Sequence, residues 1–197
     1  MKKFLAALAA IITPTAAFAH TGNGIAHVHG IAQGFMHPVT GADHVMAMLA
    51  VGFLAYVIGG RALWLVPAAF VSMMAVGGAL GMSGVNLPFV ELGIGLSIVA
   101  IGAAAAFGQN FSISAAMTLV GTFAVFHGFA HGAEMPADAS GLTYGVGFMS
   151  ATALLHAAGI AACFTVAKIA GKYGKVAARL GGGAAALAGV AMVSGAF

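Results

Sequence analysis

Apolar stretches long enough to cross a bilayer recur along this chain, separated by short segments rich in Gly, Pro, Asn and Lys. A transmembrane helix needs about 20 mostly apolar residues, because each residue adds about 1.5 Å and the hydrocarbon core is about 30 Å thick. The pattern therefore predicts an all-α membrane protein, a bundle of six transmembrane helices. The predicted spans are Pro38–Ile58, Leu63–Met82, Pro88–Phe107, Ile113–Gly132, Tyr144–Ala167 and Val176–Ala196.

The first 19 residues have the three-part pattern of a secretory signal peptide. Two lysines precede the apolar run FLAALAAII, and Ala17 and Ala19 occupy the small-residue positions of a cleavage site. We expect cleavage after Ala19, which leaves a signal peptide (1–19) and a six-span membrane domain (20–197). An uncleaved anchor is the alternative, although its apolar run is short for a span.

The distribution of basic residues predicts the orientation. If the mature N-terminus is outside the cytoplasm, the first, third and fifth loops face the cytoplasm, where lysine and arginine concentrate in membrane proteins. The basic residues of the first and fifth loops are Arg61, Lys168, Lys172, Lys175 and Arg179. We therefore expect a multi-pass protein of a bacterial inner membrane with both termini in the periplasm.

Composition excludes several classes of function. Only 6% of the residues are charged and the mean hydropathy is +1.06, so the net charge of +3 does not make a basic surface for nucleic acid. The chain has one cysteine and no Cys-x-x-Cys motif, so metal chemistry must use His, Asp and Glu. The G-x4-G-K-[ST] motif is also absent, so we expect no ATP hydrolysis.

Small residues recur inside the spans, as in Gly77-x3-Gly81 and Gly128-x3-Gly132. This spacing predicts close helix packing, because glycines let two backbones approach each other. No internal repeat is evident, so the sequence does not favour an inverted-repeat transporter. The oligomeric state, including a homo-oligomer, is left open.

The segment FHGFAHGAEMP places ionisable groups at the end of the fourth span. His127, His131 and Glu134 are four and then three residues apart, so they project from one face of a helix. Pro136 restrains the residue before it, and we expect the helix to end at about Glu134 or Met135. Side chains with this spacing can share one cation.

A second cluster, HPVTGADH, lies at the start of the first span, where Pro38 suits a first helical turn. At about 1.5 Å per residue, His44 lies roughly 9 Å below the start of span one and His127 roughly 8 Å inside the end of span four. The same count places Asp43 in this deeper layer. It places His37 level with His131 and Glu134 in a layer at the mouth.

Four other histidines are secondary candidates. His156 lies roughly 18 Å deep, near the midplane, and serves either as a ligand or as a helix-packing residue. After cleavage, the α-amine and imidazole of His20 can chelate one metal together. His27 and His29 are either capture ligands or ordinary loop residues.

Imidazole and carboxylate together suit divalent nickel, cobalt, zinc or copper. An ionised acid inside a span costs about 2.5–3.5 kcal/mol on insertion scales, so Asp43 implies a partner, a wet cavity or a function. The residue types alone do not choose among these metals.

The segments HPVTGADH and FHGFAHGAE resemble the HupE/UreJ family of hydrogenase and urease accessory proteins, which are nickel permeases of bacterial inner membranes. The resemblance extends to the signal peptide, the six spans and the small size. It implies that the metal-handling positions are His37, Asp43, His44, His127, His131 and Glu134.

The sequence thus predicts a secondary permease and not an enzyme. Its substrate would be Ni²⁺, with Co²⁺ or Zn²⁺ as alternatives, moved from periplasm to cytoplasm for hydrogenase or urease maturation. Its expected partners are the metal ion and the lipid bilayer, with no tightly bound cofactor. Three alternatives remain open: an intramembrane zinc-dependent hydrolase, a haem-binding electron carrier and a structural membrane subunit.

Overall fold

The computed structural model describes residues 26–108, 110–136 and 139–196, and these residues contain helices and no strands. The predicted signal peptide and His20 lie outside the described residues. The helices are α1 (Ala26–Thr40), α2 (Ala42–Ile58), α3 (Ala62–Met82), α4 (Val90–Phe107), α5 (Ile113–Ala133), α6 (Gly141–Ala170) and α7 (Gly174–Val193), with a 3₁₀ turn (Gly171–Tyr173) between the last two.

The predicted fold class is confirmed. Helices α3 to α7 are each long and apolar enough to cross a membrane, and α1 with α2 provides a sixth span when the bent pair is taken as one. The ends of α3 to α7 lie within three residues of the predicted span ends. Helix α5 ends at Ala133 and is followed by its cap residue Glu134, two residues before Pro136, as expected.

The first span differs from the prediction of one straight helix beginning at Pro38. Pro38 lies in the last turn of α1, and Gly41 adopts an extended conformation between the two helices (φ −87°, ψ 118°). The axes of α1 and α2 differ by 81°. The break is physically reasonable, because proline has no N–H for the helical ladder and threonine and glycine are weak helix formers.

Helix α2 is the central helix of the bundle. It packs against α4, α6 and α7, and less extensively against α3. Met48, Val51 and Leu54 on this helix have no exposed surface. A helix that is apolar on all sides is expected to be surrounded by other helices, and α2 fits that rule.

Glycines hold α3 and α5 in close contact. A Cβ atom on Gly77 would meet the carbonyl oxygen of Val125, and one on Gly81 would meet that of Phe129. Because residue numbers increase in the same direction along both helices at these contacts, the two helices run parallel. Gly128 and Gly132 of α5 approach the backbone of α3 in the same way, which confirms the predicted close packing at both glycine pairs.

Candidate metal-binding site

The bend at Gly41 builds one wall of the site. His37 lies in the last turn of α1 and His44 in the first turn of α2, so the change of direction turns both toward one cavity. The facing wall comes from the last two turns of α5, which carry His127 and His131. Irregular backbone inside a membrane protein is tolerated where it lines such a cavity.

Three histidines form the deepest part of the site, and we call His44, His127 and His131 the histidine trio. His127 Nδ1 lies 3.2 Å from His44 Nδ1, and His131 Nε2 lies 3.0 Å from the same atom. His44 and His127 are buried and His131 is partly buried. A metal about 2.1 Å from each of two imidazole nitrogens sets them roughly 3.0–3.4 Å apart. Each of these two pairs therefore has the nitrogen spacing of neighbouring metal ligands.

Ser97, which the sequence analysis did not identify, orients one member of the trio. Its buried hydroxyl donates its only hydrogen to the carbonyl oxygen of Ile94, at 2.6 Å. Ser97 Oγ also lies 2.7 Å from His127 Nε2. Because the hydroxyl hydrogen points to Ile94, the ring nitrogen donates to Ser97 Oγ. In a neutral imidazole the lone pair is then on Nδ1, which faces His44. Hydrogen bonds of this kind fix the tautomer and direction of metal-binding histidines.

A second group, the mouth cluster, consists of His37, His131 and Glu134. One ligand atom from each lies within 4.8 Å of the others. Glu134 Oε2 is 3.9 Å from His37 Nε2. The phenol of Tyr144 is 2.8 Å from His37 Nδ1 and fixes that ring. The layer predicted at the mouth therefore assembles in space, and His131 belongs to both groups.

A cavity of about 220 Å³ reaches the mouth cluster and His44 and is also lined by Asp43 and Glu91. Asp43, which the sequence predicts in the deeper layer, lines this cavity and a neighbouring one together with Glu91. Consecutive helical residues point about 100° apart, so Asp43 and His44 approach the cavity from different directions. The two acids make the approach to the trio negative.

Two nitrogens of the trio, His44 Nε2 and His131 Nδ1, are buried and have no hydrogen-bond partner within the described part of the chain. Phe148 packs beside both rings, at 5.2 Å from His44 and 4.3 Å from His131 between ring centroids. Unpartnered buried nitrogens cost free energy, about 1–3 kcal/mol each. A polar network that is incomplete in this way is suited to accept a ligand.

Of the secondary candidates, His156 is buried in the middle of α6 and contacts Phe70. His27 and His29 lie in the first turn of α1. Metal binding by any of these residues stays a prediction.

Comparisons with known proteins give one consistent result. The family model described as HupE / UreJ protein matches residues 8–192. The chain is 44% identical over 194 residues to Protein HupE from Rhizobium leguminosarum bv. viciae, which covers 98% of each chain. No solved structure matches.

Proposed function

Because the chain belongs to the HupE/UreJ family, we propose that it is a secondary permease for a divalent transition metal, with nickel as the first candidate. It moves the ion from the periplasm across the inner membrane to the cytoplasm, where a hydrogenase or urease is matured. Cobalt and zinc are the competing substrates, because imidazole and carboxylate ligands suit all three ions.

One observation carries this proposal: four histidines and a glutamate from three structural segments converge at one end of an apolar bundle. They come from α1, from α2 and from the end of α5, which are far apart in sequence. Ionisable residues at membrane depth are costly and commonly mark an ion pathway. Two overlapping ligand groups fit passage of an ion better than one fixed catalytic zinc.

Capture begins at the mouth cluster. The carboxylates of Asp43, Glu91 and Glu134 attract a hydrated cation into the cavity, and His37 and Glu134 then replace part of its water. Tyr144 keeps His37 in place for this exchange. The approach is electrostatic, so we expect it to weaken as ionic strength rises.

Transfer to the trio uses the shared ligand. His131 remains in contact with the ion while His44 and His127 replace the ligands of the mouth cluster. The trio offers neutral imidazoles and no carboxylate, so the charge of the ion is not compensated there. Sites in a transport path must bind firmly enough to admit an ion and weakly enough to release it.

The direction of transport rests on the basic residues at the α2–α3 and α6–α7 connections, which favour a cytoplasmic location for that end of the bundle. The site then opens to the periplasm. In this orientation the membrane potential favours entry by about 2.3 kcal/mol per charge per 100 mV. A coupled proton is the other available driving force.

Uptake of radioactive nickel tests the proposal directly. Cells that lack other nickel importers should accumulate the isotope faster when they express this protein, because the proposed orientation carries metal inward. Purified protein in proteoliposomes should then move nickel, and parallel assays with cobalt and zinc give the preference. Export instead of uptake would contradict the direction. Hydrolysis of a lipid or peptide without metal transport would favour the hydrolase.

Ser97 should affect affinity more than maximal rate. In Ser97→Ala, His127 Nε2 loses its buried acceptor and Nδ1 is no longer held toward His44. Loss of such a partner typically lowers metal affinity about 10–100-fold, and we expect the half-saturating nickel concentration to rise by a factor in this range. Ser97→Thr keeps the hydroxyl, and its half-saturating nickel concentration should equal that of the wild type. If both variants behave alike, Ser97 acts through packing and not through His127.

A further inference from the structure

His156 is a buried imidazole for which the proposed path so far has no use. Its exposed fraction is 1%, and neither ring nitrogen has a hydrogen-bond partner among the described residues. Leaving a buried polar group unpaired costs about 1–3 kcal/mol, and an apolar side chain of similar size would avoid this cost. The burial and the unpaired nitrogens therefore favour a role in which His156 binds a ligand.

One face of α6 runs from the mouth cluster to His156. Tyr144 contacts His37, and Phe148, one turn further, packs against the trio. Thr152 and His156 follow at the same spacing of four residues, and all four side chains are buried. At about 1.5 Å per residue, His156 lies roughly 12 Å beyond Phe148, farther from the mouth.

Phe70 of α3 contacts both His156 and the trio. Its ring centroid is 5.7 Å from that of His127 and 5.1 Å from that of His156. One aromatic side chain thus contacts both imidazoles. An ion that leaves the trio in the inward direction meets His156 as the next described ionisable side chain.

A soft ligand, a thioether, lies about one helical turn from this position. Thr152 Oγ1 donates to the thioether of Met74 at 3.7 Å, and both residues are buried. Met74 is one turn from Phe70 on α3, and Thr152 is one turn from His156 on α6, so the two contacts lie side by side between the antiparallel helices. The thioether therefore lies about one helical turn from His156, on the side of the mouth.

We propose that His156, with the Met74 thioether about one helical turn away, forms an inner binding station that receives the divalent ion from the trio. The inference rests on the proposed transport function and adds a further obligatory step to it. The ligands change along the path from carboxylate with imidazole, to imidazole alone, to imidazole with thioether. Imidazole suits Ni²⁺, and thioether is a soft ligand without charge, so the station holds the ion weakly enough to release it.

The test separates binding from passage, using radioactive Ni²⁺ alone as the probe and the full-length protein. His156→Leu removes the imidazole but keeps the volume apolar, and should leave nickel binding by the purified protein unchanged while lowering the maximal uptake rate at least about tenfold, with no rescue by more nickel. Its melting temperature should not fall, because the unpaired nitrogens are gone. Cys163→Ala, at a buried position of α6 farther from the mouth than His156, is the control and should transport normally.

Met74→Leu conserves volume and provides an independent variant, which should lower the maximal rate several-fold at an unchanged melting temperature. Uptake within about twofold of wild type for both His156→Leu and Met74→Leu would overturn the inner station. Loss of nickel binding in His156→Leu would also overturn it, because His156 would then belong to the trio. If the wild-type protein itself moves no nickel, the transport function fails instead.

Discussion

His127→Ala is expected to abolish nickel uptake at every metal concentration. The variant removes the trio member that has no exposed surface and faces His44 at 3.2 Å. An ion that has given up water at the mouth would find no replacement ligand in a low-dielectric environment, where an uncompensated charge costs far more than one hydrogen bond. Initial uptake rates should therefore remain below about 1% of wild type even at saturating nickel, since a lost ligand exceeds the 10–100-fold effect of a lost supporting partner.

The matched control changes histidines outside the trio. Replacing His20, His27 and His29 together should raise the half-saturating nickel concentration modestly and leave the maximal rate nearly intact, because these residues precede the site in the chain. Membrane levels of each variant are checked by immunoblot. A full rate for His127→Ala at high nickel, or complete inactivity of the triple variant, would contradict the order of events from mouth to trio.

Gly128→Ala should cost both stability and most of the uptake, although it adds a single methyl group. The Cβ position at Gly128 lies 2.8 Å from both the carbonyl carbon of Met74 and the backbone nitrogen of Gly78, so α3 and α5 must separate. Overpacking of this kind costs about 1–3 kcal/mol, and at roughly 2–4 °C per kcal/mol the melting temperature should fall by several degrees. The shift also moves the adjacent His127 away from Ser97.

Gly145→Ala provides the control for that experiment. Gly145 is also a helical glycine, in α6, but a Cβ atom there meets nothing within 4 Å. Alanine is a better helix former than glycine by about 1 kcal/mol, so stability should stay the same or rise. The melting temperatures of the two variants are compared in detergent, with size-exclusion chromatography used to monitor thermal unfolding. Equal melting temperatures would mean that the contact between α3 and α5 relaxes without cost.

Much of the fold could be predicted because bilayer thickness fixes the length of an apolar span. Local signals also mark the ends of α5. Ser112 caps the start by accepting from the Ala115 N–H, and Pro136 limits the end. The close packing at the glycine pairs of α3 and α5 could also be predicted, because close approach of backbones requires small residues at this spacing. The site residues of α5 followed from helical periodicity alone.

The bend at Gly41 and the role of Ser97 were not predicted. Pro38 also suits the first turn of a helix, so the sequence did not distinguish a helix start at this point from a helix end. Ser97 contacts His127 from another helix, and a sequence pattern does not give the rotation of one helix relative to another.

The position of His131 in both ligand groups limits how many ions the outer part of the protein can hold. A neutral imidazole has one nitrogen with a free lone pair, so His131 serves the mouth cluster or the trio, but not both at once. A second ion therefore cannot settle at the mouth while the first occupies the trio. In the proposed transport path, ions then pass through the outer half one at a time, as in a carrier with one binding position. Repulsion between several bound ions, which drives conduction in a multi-ion pore, would play no part there.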